Sequence, residues 1–118
     1  MTPLLIALGG GLGAVLRYLV DGALRRRLVE WSTAVINTTG SFVLGILAGL
    51  AAKNGVGGEA LAIIGTGVCG GYTTFSTATV ETLALLRNKR YREGVLYGLA
   101  TLVASVVAVW GGYALGAL

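Results

Sequence analysis

The chain has 118 residues, of which 55% are hydrophobic and 12% are charged, and its formal net charge is +4. With a mean hydropathy of +0.81, this composition predicts an integral membrane protein and leaves no soluble surface for a basic groove that binds nucleic acid. The absence of histidine and the single cysteine exclude an internal disulfide and remove the usual ligand sets of zinc and haem.

Four segments are long enough to cross a bilayer, which takes about 20 apolar residues. In chain order they are residues 2–20, 32–52, 60–86 and 94–118. The first segment has no positively charged start and three more spans follow it, so we expect it to belong to the folded protein rather than to a signal peptide. The sequence therefore predicts an all-α protein with one domain, residues 1–118, built from four transmembrane helices.

The basic residues indicate how such a chain is oriented. If it crosses four times, eight cations lie on one side, namely Arg17, Arg25, Arg26, Arg27, Arg87, Lys89, Arg90 and Arg92, and only Lys53 lies on the other. Cytoplasmic loops of membrane proteins carry an excess of Lys and Arg. The loops between spans 1 and 2 and between spans 3 and 4 are therefore expected in the cytoplasm, with both termini outside.

Glycines four residues apart recur along the chain and indicate close helix packing. The pairs are Gly9/Gly13, Gly45/Gly49, Gly67/Gly71, Gly94/Gly98 and Gly112/Gly116. Lipid is as apolar as leucine, so helices in a membrane associate through small residues that let their backbones approach. We expect these pairs to mark the helix contacts.

Two spans carry a polar face. In the second span Asn37 and Ser41 continue into Gly45 and Gly49 at intervals of four, and the fourth span has Tyr97, Thr101 and Ser105 at the same interval. An asparagine in hydrocarbon needs a partner, so Asn37 either makes a hydrogen bond between helices or lines a path for a solute. The spacing alone leaves both interpretations open, and the same two interpretations apply to Ser41 on the same helix face.

The third span contains a cluster of glycines directly before two threonines. The cluster is Gly65, Gly67, Gly70 and Gly71, followed by Thr73 and Thr74. It predicts a break of this helix at mid-membrane, which is tolerated only where the backbone is buried in protein or lines a cavity. Unwound carbonyls can coordinate a cation, and the start of the resumed helix favours an anion. The break therefore indicates an ion site of either sign.

Three stretches resemble the motifs of the Fluc family of bacterial fluoride channels, also called CrcB proteins. They are GGGLGAVLRY (residues 9–18), NTTGSFVLG (37–45) and GVCGGYTTFSTATVE (67–81), and the similarity runs through all four spans in order. The resemblance implies a channel of the bacterial plasma (inner) membrane that passively exports cytoplasmic fluoride. It also implies an antiparallel dimer embedded in lipid, with two pores along the subunit interface and a structural sodium ion at the centre.

The resemblance also assigns roles to individual residues. It implies that backbone carbonyls of Gly70 and Thr73 hold the sodium ion, that the amide of Asn37 donates hydrogen bonds to fluoride, and that the ring edge of Phe75 faces the ion. Further matching positions carry hydroxyl or charged groups: Thr77, Tyr97, Thr101, Ser105, Arg17 and Glu81. Without the resemblance, Arg17 would be read as snorkelling to the membrane surface and Glu81 as an ion pair or helix-end contact.

One position departs from the family pattern. The motif usually continues TTFSTF, whereas Ala78 stands here at the second phenylalanine, on the same helix face as Phe75. Either the pore is wider or chemically altered at this step, or one of the two pores is supplied by a different chain. A homodimer of opposed subunits needs nearly balanced loop charges, which this chain lacks. We therefore expect a homologous, oppositely oriented partner, with self-pairing as the alternative.

Other classes of protein fit less well. A proton-coupled exporter similar to the small multidrug resistance transporters needs a carboxylate in its first span, and residues 2–20 contain none. A non-transport assembly subunit would leave the polar faces and the broken span without a use, although buried polar groups are expensive. An enzyme is not expected, because the sequence has no histidine and no serine, cysteine or carboxylate pair spaced like a nucleophile and its general base.

Overall fold

The structure is a computed structural model that describes all 118 residues, and it is entirely helical. Its helices are α1 (Thr2–Leu28), α2 (Ser32–Ala52), α3 (residues 58–72), α4 (Phe75–Arg87) and α5 (Tyr91–Gly116). A 3-10 turn, Val29–Trp31, joins α1 to α2. Two helical stretches are long and apolar enough to cross a membrane: Thr2–Ala52, which contains α1, the turn and α2, and Tyr91–Gly116. The predicted all-α class is confirmed.

The helix ends differ in places from the predicted spans. Helix α1 continues well past residue 20, and its last turn holds Arg25, Arg26 and Arg27, a position where cations are favoured by the helix dipole. Helix α2 has the predicted bounds, whereas α5 begins before residue 94 and ends before residue 118. The sequence therefore located the apolar segments better than it located their polar ends.

Helix α3 is irregular along most of its length. It consists of a first turn, Gly58–Ala60, a π-helical segment, Leu61–Cys69, and a last turn, Gly70–Tyr72. Such wide helical turns are rare and usually short, and they often occur at functional sites. Here the π-helical segment ends one turn before the point at which the helix breaks.

Glycines bring two pairs of helices into backbone contact. A Cβ atom on Gly45 or Gly49 of α2 would overlap carbonyls of α5, and one on Gly112 or Gly116 would overlap carbonyls of α2. Helix α1 meets α3 in the same manner through Gly9, Gly13, Gly67 and Gly71. The packing role predicted for these four glycine pairs is confirmed. The fifth pair, Gly94/Gly98, also marks a helix contact, but it packs against side chains of α4, Leu86 and Thr82, rather than against its backbone.

The same contacts give the directions of the helices. Along α2, Gly45 lies against Val109 and Gly49 against Tyr113, so α2 and α5 are parallel. Helices α1 and α3 are also parallel, because Gly67 lies against Ile6 and Gly71 against Gly10. Helix α4 is antiparallel to α5, since Leu86 is near Gly94 and Thr82 near Gly98.

Candidate functional site

The helix break lies where the glycine cluster predicted it. Helix α3 ends at Tyr72, the backbone is extended at Thr73 (φ −78°, ψ 158°) and Thr74 (φ −146°, ψ 114°), and α4 begins at Phe75. Thr74 caps the new helix, because its hydroxyl oxygen accepts the backbone N–H of Thr77 at 3.1 Å. The Thr74 hydroxyl also donates to that of Thr77 at 3.0 Å. Thr77, one of the predicted pore residues, is therefore bonded within the N-terminal cap of α4, and it does not line the groove described below.

Asn37 of α2 binds the break at both of its amide atoms. The backbone N–H of Thr74 donates to its Oδ1 at 2.7 Å, and its Nδ2 donates to the Thr74 carbonyl at 2.9 Å. The hydrogen bond between helices that the spacing allowed is therefore present. A primary amide carries two N–H groups, so Asn37 keeps a second donor for another acceptor.

Arg17 of α1 also reaches the break. Its Nη1 donates to the Thr73 carbonyl at 3.3 Å, and it forms no ion pair with a carboxylate. The guanidinium group of this half-buried residue therefore contacts the extended backbone at the break. A carbonyl oxygen has two lone pairs, so the Thr73 carbonyl retains one for a further ligand.

A groove of about 580 Å³, which we call the polar groove, opens beside the break between α2, α4 and α5. Its lining is Asn37, Ser41, Thr73, Thr74, Phe75, Ala78, Thr79, Thr82, Leu83, Leu86, Gly98, Thr101, Leu102 and Ser105. Six predicted pore residues thus meet in one groove: Asn37, Ser41, Phe75, Ala78, Thr101 and Ser105. Phe75 and Ala78 share a wall, as their spacing predicted, and the Phe75 side chain is 86% exposed.

Three hydroxyl groups of α5 are buried without a hydrogen-bond partner: those of Tyr97, Thr101 and Ser105. An unpaired buried hydroxyl is unfavourable, and each of these can donate to an anion. Thr101 and Ser105 line the polar groove. Tyr97 does not, although the sequence placed it on the same face. Its ring packs on Trp31 with a centroid separation of 5.3 Å, and it lines a cavity of about 210 Å³ with Glu30, Glu81, Asn88 and Arg90.

The family assignment rests on a match that covers nearly the whole chain. Residues 4–113 match the family described as "CrcB-like protein, Camphor Resistance (CrcB)". The chain belongs to the CrcB-like family. This confirms the resemblance noted in the three motif stretches.

Several relatives of this CrcB-like chain carry a more specific name. A protein of Leifsonia xyli named fluoride-specific ion channel FluC 1 is 45% identical, with 100% of this chain and 90% of the relative aligned. Fluoride-specific ion channel FluC 2 of Rhodococcus jostii is 40% identical over 98% of each chain. The FluC protein of Thermus thermophilus is 41% identical over 96% of this chain and 93% of its own.

Glu81 of the CrcB-like chain lies outside the polar groove, in a network of polar groups. It accepts a hydrogen bond from the hydroxyl of buried Thr33 and pairs with Arg25 at 3.6 Å between Nη1 and Oε2. Arg25 also pairs with Asp21, whose carboxylate accepts the hydroxyl of Ser32 at 2.6 Å. The ion pair was one of the readings of Glu81. The contacts of Glu81 with Thr33 and of Asp21 with Arg25 and Ser32 were not predicted, although Asp21 and Arg25 stand at the helix spacing i, i+4 that favours such pairs.

Replacing the cap residue tests how strongly the break is held. Thr74→Ala removes the oxygen that accepts the Thr77 N–H, and loss of such a cap lowers the free energy of unfolding by about 1 kcal/mol. We expect a lower melting temperature in detergent. Thr79→Ala is the control, because Thr79 bonds only to a carbonyl within α4. Equal melting temperatures for the two variants would contradict the capping role.

Proposed function

We propose that this CrcB-like chain forms a passive fluoride channel. The observation that carries the proposal is the polar groove, where the Asn37 amide and the unpaired hydroxyls of Thr101 and Ser105 meet beside a broken helix. No lining residue carries a charged side chain. The groove thus offers donors to an anion, and no group for the proton exchange of an exporter or for acid–base catalysis. The names of the relatives point to the same ion.

The chemistry of the groove suits fluoride in particular. A small anion that sheds water needs strong donors in its place, and the free N–H of Asn37 and the α5 hydroxyls supply them. The Phe75 ring presents a positive edge that an anion can approach in a dry site. Arg17, which forms no ion pair, adds a positive charge at the break. Chloride is larger and a weaker acceptor, so a narrow path with these donors favours fluoride.

Growth in fluoride tests this function in the cell. We expect that removing the gene from the bacterium that carries it makes growth sensitive to fluoride. The restored gene should return resistance, and a copy with Asn37→Asp should not. Unchanged growth of the deletion strain, or rescue by the Asn37→Asp copy, would contradict the proposal.

The proposal includes a single domain that crosses the plasma membrane four times, with the arginine-rich loops in the cytoplasm. The helix directions support it. Parallel α1 and α3, parallel α2 and α5, and antiparallel α4 and α5 are what successive crossings produce. The charge bias of the loops favours the proposed orientation.

An antiparallel dimer would complete the polar groove. The groove is open on one side, and Phe75, although aromatic, is 86% exposed in the single subunit. A second subunit laid across the break would cover Phe75 and close two pores.

A sodium ion at the centre of this dimer is part of the proposal. Its ligands would be carbonyls of Gly70 and Thr73, and Gly70 is exposed in the single subunit, where a partner can approach it. The free lone pair of the Thr73 carbonyl fits a hard cation, with Arg17 on the other lone pair. When bound, sodium would supply a fixed positive charge that favours anions nearby.

The orientation of the subunits distinguishes pairing with a relative from self-pairing. We expect one orientation, because eight of the nine cations lie at one end. A tag on the C-terminus should therefore react with an impermeant reagent from outside the cell only. Tags found in comparable amounts on both sides would show self-pairing, and Ala78 would then line both pores.

A further inference from the structure

A second groove lies on another side of α2 and α5, and we call it the lateral groove. Its volume is about 250 Å³, and its lining is Trp31, Ala34, Val35, Thr38, Thr39, Ala100 and Ala104. None of these residues lines the polar groove. The hydroxyl of Thr39 is already bonded to the carbonyls of Val35 and Ile36 at 2.9 and 3.1 Å. The lateral groove is mostly apolar, because five of its seven lining residues are hydrophobic.

The shape of the lateral groove suits an extended hydrocarbon chain. Ala100 and Ala104 are four residues apart on α5, and their short side chains form one wall. Along α2 the groove runs from Trp31 to Thr39, which is about 12 Å at 1.5 Å per helical residue. A narrow apolar furrow of this length on a membrane protein fits part of one acyl chain.

Cations without an ion-pair partner stand close in sequence to Trp31, at one end of the lateral groove. Arg27 precedes Trp31 by four residues, and Glu30 beside Trp31 pairs with Arg90 at 3.1 Å. Only Arg25 and Arg90 form ion pairs. Five cations at the end of α1, the end of α4 and the start of α5 form no ion pair. They are Arg26, Arg27, Arg87, Lys89 and Arg92. Clusters of this kind next to a membrane-spanning helix attract anionic lipid head groups.

We propose that the lateral groove holds one acyl chain of an anionic phospholipid whose phosphate is bound by Arg26 and Arg27. A second copy of the chain fits this place less well, because it carries a net charge of +4. If that copy were antiparallel, the end facing the arginines would offer Glu59 beside Lys53. The inference needs the chain to lie in a membrane, but it does not depend on fluoride conduction.

Lipid retention measured by native mass spectrometry tests the site. The protein is purified in detergent with phosphatidylglycerol or with phosphatidylcholine added, and the lipids that remain bound to each subunit are counted. We expect one phosphatidylglycerol per subunit, retained about thirtyfold more than phosphatidylcholine because two cations favour the anionic head group. Equal retention of the two lipids would overturn the proposal.

Two double variants test separately whether the groove and the arginines are needed for lipid binding. Ala100→Leu/Ala104→Leu fills the groove, and Arg26→Gln/Arg27→Gln removes the head-group contacts, so both should lose the bound phosphatidylglycerol. The matched controls are Ala7→Leu, on an exposed face of α1, and Lys53→Gln, an exposed residue at the opposite end of α2 from Trp31. Both should retain it.

Two outcomes with the groove-filling variant would also overturn the proposal. The first is that the groove-filling variant still retains phosphatidylglycerol, which would reduce the lipid to a surface adsorbate on the arginines. The second is that this variant separates the subunits while lipid retention is unchanged, which would make a second copy the occupant. Circular dichroism checks that each variant keeps its helices, and the arginine variant tests the site without disturbing the packing of α5.

Discussion

Fluoride flux should fall by about a thousandfold in the Asn37→Asp variant. A carboxylate about 4 Å from the ion, at an effective dielectric constant of 20, repels it by about 4 kcal/mol, and about 1.4 kcal/mol corresponds to a factor of ten. The substitution also removes the Nδ2 group that donates to the Thr74 carbonyl at 2.9 Å. Both effects act at the break. Flux from liposomes, followed with a fluoride electrode, measures the loss.

Two further variants separate charge from the lost hydrogen bond. Asn37→Ala also loses the bond to Thr74 but adds no charge, so it should retain more flux than Asn37→Asp. Asn54→Asp places the same charge in the exposed turn after α2 and should leave flux unchanged. Undiminished flux in Asn37→Asp would remove Asn37 from the ion path. Equal flux in the Asp and Ala variants would assign the effect to the break rather than to repulsion.

Neighbouring glycines of α5 should respond in opposite ways to the same substitution. In Gly112→Ala the new Cβ overlaps the Phe42 carbonyl and lies 2.9 Å from the Ile46 nitrogen of α2, so the two helices must move apart. Overpacking of this kind lowers the free energy of unfolding by about 1 to 3 kcal/mol. In Gly111→Ala the new Cβ meets no atom within 4 Å. Because alanine favours a helix over glycine by about 1 kcal/mol, this variant should be unchanged or more stable.

Unfolding in detergent, followed by circular dichroism, measures both glycine variants. We expect a melting temperature clearly below that of the parent protein for Gly112→Ala only. If Gly111→Ala were equally destabilised, the loss would come from a partner on the outer face of α5 rather than from the contact with α2. If neither variant changed, the close approach of α2 and α5 would be contradicted.

Features that depend on spacing within one helix could be predicted from the sequence. The glycine pairs mark helix contacts because a four-residue interval keeps two residues on one face. The same rule puts Phe75 and Ala78 on one wall of the polar groove, and Thr101 with Ser105. The break after the glycine cluster was foreseeable because glycines weaken a helix and the following threonine offers a cap.

Features that depend on how separate helices meet could not be predicted. Nothing in the sequence near Arg17 shows that it reaches the Thr73 carbonyl, since that depends on how α1 lies against α3. Tyr97 follows the spacing of Thr101 and Ser105, yet contact with Trp31 at the turn holds it outside the polar groove. The π-helical form of Leu61–Cys69 also could not be predicted, because Gly65 and Gly67 weaken an α-helix without specifying which form replaces it.

Fluoride efflux from liposomes tests the central claim most directly. The assembly is purified through a tag on this chain, so that any partner subunit is included, and it is reconstituted in liposomes loaded with fluoride or with chloride. Anion efflux builds up a membrane potential that opposes further loss. Once this potential is dissipated, the account predicts rapid loss of fluoride, with chloride retained. Retention of both ions by liposomes that contain the folded assembly, or equal loss of both, would contradict a fluoride-selective channel.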